Sequence, residues 1–453
     1  MPEEIRIIMH QKLVARSATV GVLGQGYVGL PLALEVSRAG FNTIGFDVSA
    51  ERVAQLNAGR SYITDVSDDD IAKAIAGGKY RATDDFAELG RCDVIVICVP
   101  TPLRKTKDPD ISYIVSAVDS IKQHICPPAL IVLESTTYPG TTDELVVAEL
   151  ESVGLTLDQD FFACYSPERV DPGNALFQTR NIPKVVGGVS ELSTKLGVTF
   201  YQQVLEKVHP VSSARVAEMA KLLENTFRAV NIGLVNELAL LAERMGVDIW
   251  EVIDAAATKP FGYMPFYPGP GIGGHCIPVD PMYLAWKGKT YDFYNRFIEL
   301  ADEINSGMPQ HVVNRVAELL NMQGLALSRS KVLLLGIAYK KNVGDTRESP
   351  AIEIANMLKA RGATVRGFDP FVDKLPKEAG DLEMLDKLDE DALRSFDCVV
   401  LTTDHDQFDY EWIADNARLV FDTRNAFRNV DKPHVYRLGT PLRAETVSQV
   451  ANA

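Results

Sequence analysis

Two doubly wound α/β domains joined by a long central helix are the fold class that three observations in this 453-residue chain predict. Short apolar and β-branched runs alternate with helical patterns over the first two hundred residues. A second series of the same texture begins at Lys331. Between them, residues 214–245 are almost free of Gly and Pro, with apolar residues at helical spacing. Alternating β and α elements make parallel sheets covered by helices.

The first series opens with a strand at residues 17–23, which runs directly into Gly24-Gln25-Gly26-Tyr27-Val28-Gly29. A helical pattern follows over 30–39, then a second strand over 42–46 that ends in Asp47. Further strands are read near 94–99, 129–133 and 162–165. The run 214–245 is one helix, far longer than the usual ~11–12 residues, and such a helix links domains or forms a dimer face. Helical texture continues to about Leu327, interrupted by a Gly/Pro/Cys loop. The second series has strands at 331–336, 363–368, 397–402 and 418–421. The expected domains are therefore 1–213, 214–327 and 328–453, with a patternless and mobile tail after about Asn429.

Composition narrows the function. With 46% hydrophobic and 24% charged residues the chain is an ordinary globular protein. No apolar run reaches the length of a membrane span. The first residues lack a basic-then-apolar signal, and six cysteines at 92, 98, 126, 164, 276 and 398 show neither paired nor metal-ligand spacing. The expectation is a cytoplasmic protein without a metal. A net charge of −15 argues against nucleic-acid or anionic-membrane partners. An anionic substrate would need a locally positive site.

Gly24-x-Gly26-x-x-Gly29 is a weak signal alone. Here it follows a strand, opens a helix, and precedes a strand-end Asp47 by about twenty residues, which is the Rossmann dinucleotide fingerprint. The glycines allow the turn, the approach of pyrophosphate and the packing of helix on sheet, and the helix N-terminus receives the phosphates. Asp47 would accept hydrogen bonds from ribose hydroxyls and repel a 2′-phosphate, so NAD is expected rather than NADP. Gln25, Tyr27, Val28 and Arg52 join the cofactor candidates, as do Pro100 and Thr101 at a later strand end.

The loop 268–281 reads Pro-Gly-Pro-Gly-Ile-Gly-Gly-His-Cys-Ile-Pro-Val-Asp-Pro. Glycines let the backbone approach a ligand and prolines stiffen the rest. Cys276 is thus a candidate nucleophile on a rigid mount, with Asp280 four residues on.

Taken together the chain resembles the nucleotide-sugar 6-dehydrogenases, which include the UDP-glucose dehydrogenases. The resemblance is carried by the fingerprint, by residues 134–142 (Glu-Ser-Thr-Thr-Tyr-Pro-Gly-Thr-Thr), by Ser166-Pro167-Glu168-Arg169, and by residues 221–228 (Lys-Leu-Leu-Glu-Asn-Thr-Phe-Arg). The Cys276 loop, Gly336-Ile337-Ala338-Tyr339-Lys340 and residues 345–350 complete it. It implies oxidation of a sugar C6 alcohol to the carboxylate by two successive NAD molecules. In that scheme Cys276 is the nucleophile, Lys221 and Asn225 stabilise oxyanions, Asp280 and Glu168 handle protons, and Thr136 holds a water. It further implies Arg347 at the cofactor, Lys340 at the UDP moiety, and substrate contacts from Glu168, Arg169, Lys221, Asn225, Tyr267, Gly271 and Gly273. A homodimer or larger homo-oligomer is expected.

His275 and Val279 stand where the glucose enzymes usually carry a small residue and Lys, and the arginine before their loop is absent; residues 259–267 read Lys-Pro-Phe-Gly-Tyr-Met-Pro-Phe-Tyr. The loop looks most like that of UDP-N-acetylglucosamine 6-dehydrogenases of surface-polysaccharide pathways, O-antigen included. UDP-N-acetylmannosamine, UDP-glucose, and a non-catalytic nucleotide-sugar binder are the alternatives. Tyr263 or Phe266 would line an acetamido pocket, or would pack the loop onto the core.

Overall fold

Short strands, the central ones rich in Val, Ile and Leu and buried on both faces, build two sheets that are parallel but for one pair. The computed structural model describes residues 2–63, 66–104, 106–170 and 179–441. Their contacts divide the chain into two units, residues 1–224 with 282–294, and 225–281 with 295–453.

The first unit contains β1 (Thr19–Leu23), β2 (Asn42–Phe46), β3 (Tyr80–Thr83), β4 (Val94–Ile97), β5 (Ala129–Leu133), β6 (Phe161–Tyr165), β7 (Lys184–Gly188) and β8 (Val208–Pro210). Their order across the sheet is β3-β2-β1-β4-β5-β6-β7-β8. All neighbours are parallel except β6 and β7. Alternation along β1 and β4 sends Val20, Val22, Val94 and Val96 into one core layer and Leu23, Ile95 and Ile97 into the other. Strand order reverses between β1 and β4, the crevice where this fold class receives ligands. Leu23 is in register with Phe46 on one side and Ile97 on the other, so Gly24, Asp47 and Cys98 share one edge.

The second unit repeats the plan with β9 (Lys331–Leu335), β10 (Thr364–Phe368), β11 (Glu383–Met384), β12 (Cys398–Leu401), β13 (Val420–Asp422) and β14 (Val435–Arg437). The order is β11-β10-β9-β12-β13-β14, parallel throughout. The expected long helix is present as Ala214–Met245. It begins in the first unit and ends in the second.

Sequence reading missed the helix Pro2–Val14 and the strands β3, β7, β8, β11 and β14. The patternless tail is a correction as far as Pro441. Within it Arg437 pairs with Asp248 (2.8 Å), Trp250 Nε1 donates to Leu438 O (2.7 Å) and Gly439 N donates to Glu243 (2.9 Å). Residues 442–453 lie outside the described ones. Among the described residues, no helix is long and apolar enough to cross a membrane.

Candidate active site

The first glycine turn is shaped by close approaches. Gly24 has φ +89°, and a Cβ there would lie 2.7 Å from Cys98 O. A Cβ on Gly29 would lie 1.8 Å from Gly24 O, so the helix Gly29–Arg38 can only leave the turn from a glycine. Gly26 is different: a Cβ would meet nothing within 4 Å. That helix also starts at Val28 without a side-chain cap or an acidic first turn. An uncapped helix N-terminus close in sequence to the open space at Gly26 suits a diphosphate. The residues therefore fit a dinucleotide.

Asp47, at the end of β2, is buried and accepts from Gln25 N (3.1 Å) and Ser49 N (2.9 Å). Arg52 Nη1 lies 3.7 Å from Asp47 and its guanidinium covers the Tyr62 ring at 5.3 Å. Gln25, grouped with the cofactor residues, is turned into the protein. Its amide donates to Val22 O and accepts from Tyr80 OH, while Tyr62 OH donates to its carbonyl. Burial pushes the Tyr62 hydroxyl up to about 12, aided by the Asp47 charge, so it serves as a fixed donor. Tyr27 is exposed, and the Thr101 carbonyl accepts from Tyr283 OH at 2.8 Å.

The corresponding edge of the second sheet is closed. Gly336 has φ +84° and packs on Thr403 as Gly24 packs on Cys98. Asp369, at the end of β10, takes the N–H groups of Ile337 (2.7 Å) and Ala338 (2.8 Å). His405 Nε2 sits 3.0 Å from the same oxygen, and Asn342 N donates to His405 Nδ1 at 2.9 Å. That fixes the tautomer: Nδ1 accepts and Nε2–H donates to Asp369. Lys340 is half-buried just beyond this turn.

Around the loop after β5, the long helix contributes Glu218, which sequence reasoning missed. It accepts from Gly140 N (2.6 Å), Thr142 N (2.9 Å) and Thr142 Oγ1 (2.7 Å), and thereby fixes the loop that carries half-buried Thr136. Burial raises the Glu218 carboxyl above its ordinary value. Glu168 accepts the N–H groups of Arg169 (2.7 Å) and Val170 (2.6 Å) through Oε1. Arg169 forms a two-point pair with Glu224 on the long helix and donates to Pro183 O.

In the second unit the Cys276 loop is anchored at both ends. Asn236 accepts from Gly269 N (2.9 Å) and donates to Asn305 (2.9 Å) at its start, where half-buried Arg424 lies against Gly269. Gly274 N donates to Arg347 O (3.0 Å), and a Cβ on Gly273 would lie 2.4 Å from Tyr339 Cβ. Gly271 similarly abuts Pro350. These glycines are thus demanded by packing. Asp280 N donates to Cys276 O (2.9 Å), and Asn225 Nδ2 donates to Asp280 Oδ2 (2.5 Å). Lys221 precedes Asn225 by one turn; Lys221, Asn225 and Asp280 are 7%, 6% and 2% exposed. Thr136, Glu168 and Lys221 belong to the first unit, and Asn225, Cys276 and Asp280 to the second.

Burial sorts the cysteines. Cys92, Cys98, Cys164 and Cys398 are buried, and desolvation pushes each thiol up, Cys92 to about 12. Cys126 and Cys276 are exposed, and only Cys276 sits in the glycine loop. Desolvation, then the Arg347 charge, holds His275 below the ordinary imidazole value. Arg347 itself engages Asp345 through Nε (2.9 Å) and Nη2 (2.5 Å). Among the aromatics of 259–267, half-buried Phe266 meets Phe227 edge-on at 5.6 Å, exposed Tyr267 stacks on Trp250 and bonds Asp254, and Phe261 is exposed. Tyr263 remains 38% exposed.

Comparison with known proteins decides the family. Residues 18–205 match the NAD-binding domain of the UDP-glucose/GDP-mannose dehydrogenase family, 215–307 its central domain, and 333–429 its UDP-binding domain. The chain belongs to this family. As a UDP-glucose/GDP-mannose dehydrogenase family member it is an NAD-dependent oxidoreductase, and its NAD-binding domain contains β1–β7 of the first sheet. It is 35% identical to a UDP-N-acetyl-D-mannosamine dehydrogenase of Pyrococcus horikoshii, over 92% of this chain and 98% of that one. It is 37% identical to a UDP-N-acetyl-D-glucosamine 6-dehydrogenase of Pseudomonas aeruginosa, over 78% and 83%. The solved structure of UDP-D-ManNAc dehydrogenase from Pyrococcus horikoshii superimposes with a TM-score of 0.84 at 32% identity, covering 93% and 99%.

Proposed function

We propose that this dehydrogenase oxidises C6 of a UDP-N-acetylhexosamine, foremost UDP-N-acetylglucosamine, to the uronic acid. The observation that carries the reading is the placement of Cys276. It is an exposed thiol in a loop braced by Tyr339, Pro350 and Asn236, and its backbone leads into Asp280, which Asn225 holds.

The residues divide the work as follows. A proton-handling group, Glu168 or Asp280, takes the hydroxyl proton as the alcohol becomes an aldehyde. The Cys276 thiolate adds to that aldehyde because an aldehyde has no hydride to give until a nucleophile adds. Lys221 and Asn225 stabilise the oxyanion of the thiohemiacetal. Loss of its hydride leaves a thioester on Cys276. Water, held by Thr136 and deprotonated by the carboxylate, cleaves it to the acid and free thiol. When bound, NAD supplies the hydride acceptor, one for each of the two oxidations. Lys340 and Arg424 provide positive charge for the UDP diphosphate. Gly271 and Gly273 offer backbone contacts, and Tyr267 fixes the loop next to the sugar.

A second reading, the manno epimer, is supported by the 35% identical relative named for UDP-N-acetylmannosamine. We further propose a cytoplasmic homodimer serving surface-polysaccharide synthesis.

The test counts NADH against sugar consumed for UDP-N-acetylglucosamine, UDP-N-acetylmannosamine and UDP-glucose. Two NADH per sugar with the gluco acetamido substrate preferred supports the whole reading. One NADH removes the thioester route, and preference for UDP-glucose removes the substrate class. Cys276→Ala should retain NAD and UDP-sugar binding by calorimetry and yield no acid. Acid formation at the wild-type rate would dismiss Cys276 as nucleophile.

A further inference from the structure

One buried cation has no part in the chemistry above. Lys184 opens β7 and is 5% exposed. Taking an ammonium out of water costs several kcal/mol unless it is paired, so its partners indicate its purpose. Its Nζ lies 2.8 Å from Glu134 Oε2 at the end of β5, and 3.9 Å from Glu168 Oε2 after β6. It also sits over the Tyr201 ring at 5.4 Å, and Tyr201 OH donates to the other oxygen of Glu134. The ammonium is therefore fixed on one side by an enclosed carboxylate and faces Glu168 on the other.

Burial is the largest influence on both members of the tight pair. It pushes the Glu134 carboxyl up; the Lys184 charge opposes this and the Glu168 charge adds to it. Burial pulls Lys184 down, but the charges of Glu134 and Glu168 outweigh it and leave the lysine above its ordinary value. Two carboxylates share one ammonium, so the direction that holds is a charged Lys184. Among the described residues, Cys98 on the β4 edge, Cys164 on β6 and Tyr201 on the helix Glu191–Val204 also face the cluster, while Arg169, next to Glu168, is turned to Glu224. A tie between strands would need Glu134 alone. The second contact, to a carboxylate whose Oε1 is already held by two backbone N–H groups, restrains both oxygens of Glu168.

We propose that Lys184 is a positioning residue for Glu168: its buried ammonium, held by Glu134 and Tyr201, aims Oε2 of the Glu168 carboxylate and supplies the charge that carboxylate faces during proton transfer. The proposal rests on reading Glu168 as a proton-handling group.

The experiment compares Lys184→Met, Lys184→Arg, Glu134→Gln and Glu168→Gln with wild type, using kcat and both KM values across pH, normalised to NAD-binding sites. Lys184→Met should lower kcat at least about tenfold with both KM values little changed. Its acidic limb should move up by about one pH unit, because a carboxylate that loses a nearby cation ionises less readily. Lys184→Arg should keep the wild-type limb. Glu134→Gln leaves Glu168 as the cation's nearest carboxylate and should move the limb down, which carries the test if Lys184→Met does not fold. A merely structural lysine would lower the folded fraction and leave the limb in place. If Glu168→Gln keeps wild-type kcat and limb, the reading of Glu168 falls. If Glu168→Gln abolishes the limb while Lys184→Met or Glu134→Gln leaves it unmoved, the role of Lys184 is overturned.

Discussion

Three glycines of one fingerprint have three different physical duties, and the difference is measurable. Gly26→Ala places a methyl in open space, so its thermal midpoint should stay within about 2 °C of wild type. Its KM for NAD should nevertheless rise at least about tenfold, because the methyl occupies the space the diphosphate needs. Gly29→Ala drives a Cβ into the carbonyl of Gly24 and should cost about 3 kcal/mol or more. An unchanged KM in Gly26→Ala would remove that space from the cofactor site. The spacing of these glycines was legible in the sequence; the inward turn of Gln25 was not. Its four bonds go to Asp47, Val22, Tyr80 and Tyr62, which lie up to 55 residues away. Lys184 and Glu218 were hidden for the same reason. A charge in a strand or a helix reads as solvated until its buried partner is known, and here the partners are Glu134 and the turn at Gly140.

At the level of elements, the two sheets use one device for opposite ends. A strand-end aspartate follows the glycine turn in both, Asp47 after β2 and Asp369 after β10. In the second, Asp369 consumes the turn's own N–H groups and is locked by His405, so the turn is sealed by protein. Burial works to raise the Asp369 carboxyl, but the His405 hydrogen bond and the backbone donors outweigh it, and it lies below the ordinary value. A depressed carboxylate contributes stability that is present above the unfolded value near 3.9 and lost as pH falls through the folded one. Asp369→Asn should therefore destabilise by about 1–3 kcal/mol at pH 7, with buried donors stranded. Urea denaturation at pH 7 and pH 3.5 checks this. The gap between variant and wild type should narrow at the lower pH, and an equal gap at both would dismiss the ionised acceptor. The alternation of elements was readable because β1, β4, β5, β9 and β12 are apolar runs with turn signals at their ends. β3 (Tyr-Arg-Ala-Thr) and β14 (Val-Tyr-Arg) carry arginines and are three or four residues long, so pattern alone could not reveal them. They exist because their neighbours offer an unpaired edge.

For the whole molecule, an acidic chain of net charge −15 that binds an anionic nucleotide needs local cations rather than its overall field, and the proposed reading assigns that part to Lys340 and Arg424. The proposed assembly finds a matching surface on the long helix. Val216, Met219, Leu223, Phe227, Leu234, Leu238, Leu241 and Met245 are exposed, and most are spaced by three or four residues, so they form one apolar stripe. A stripe of that extent is what a helix keeps when a second helix covers it. The proposed dimer places the same stripe of a second copy there, since a symmetric pair presents identical faces to each other. Leu238→Glu combined with Leu241→Glu would set four carboxylates in that contact while touching no buried side chain. Sedimentation equilibrium should give the dimer mass for the wild type and the monomer mass for the variant, with far-UV circular dichroism unchanged. A variant that stays dimeric would move the interface off this helix, and loss of helicity would show that the stripe packs within its own chain.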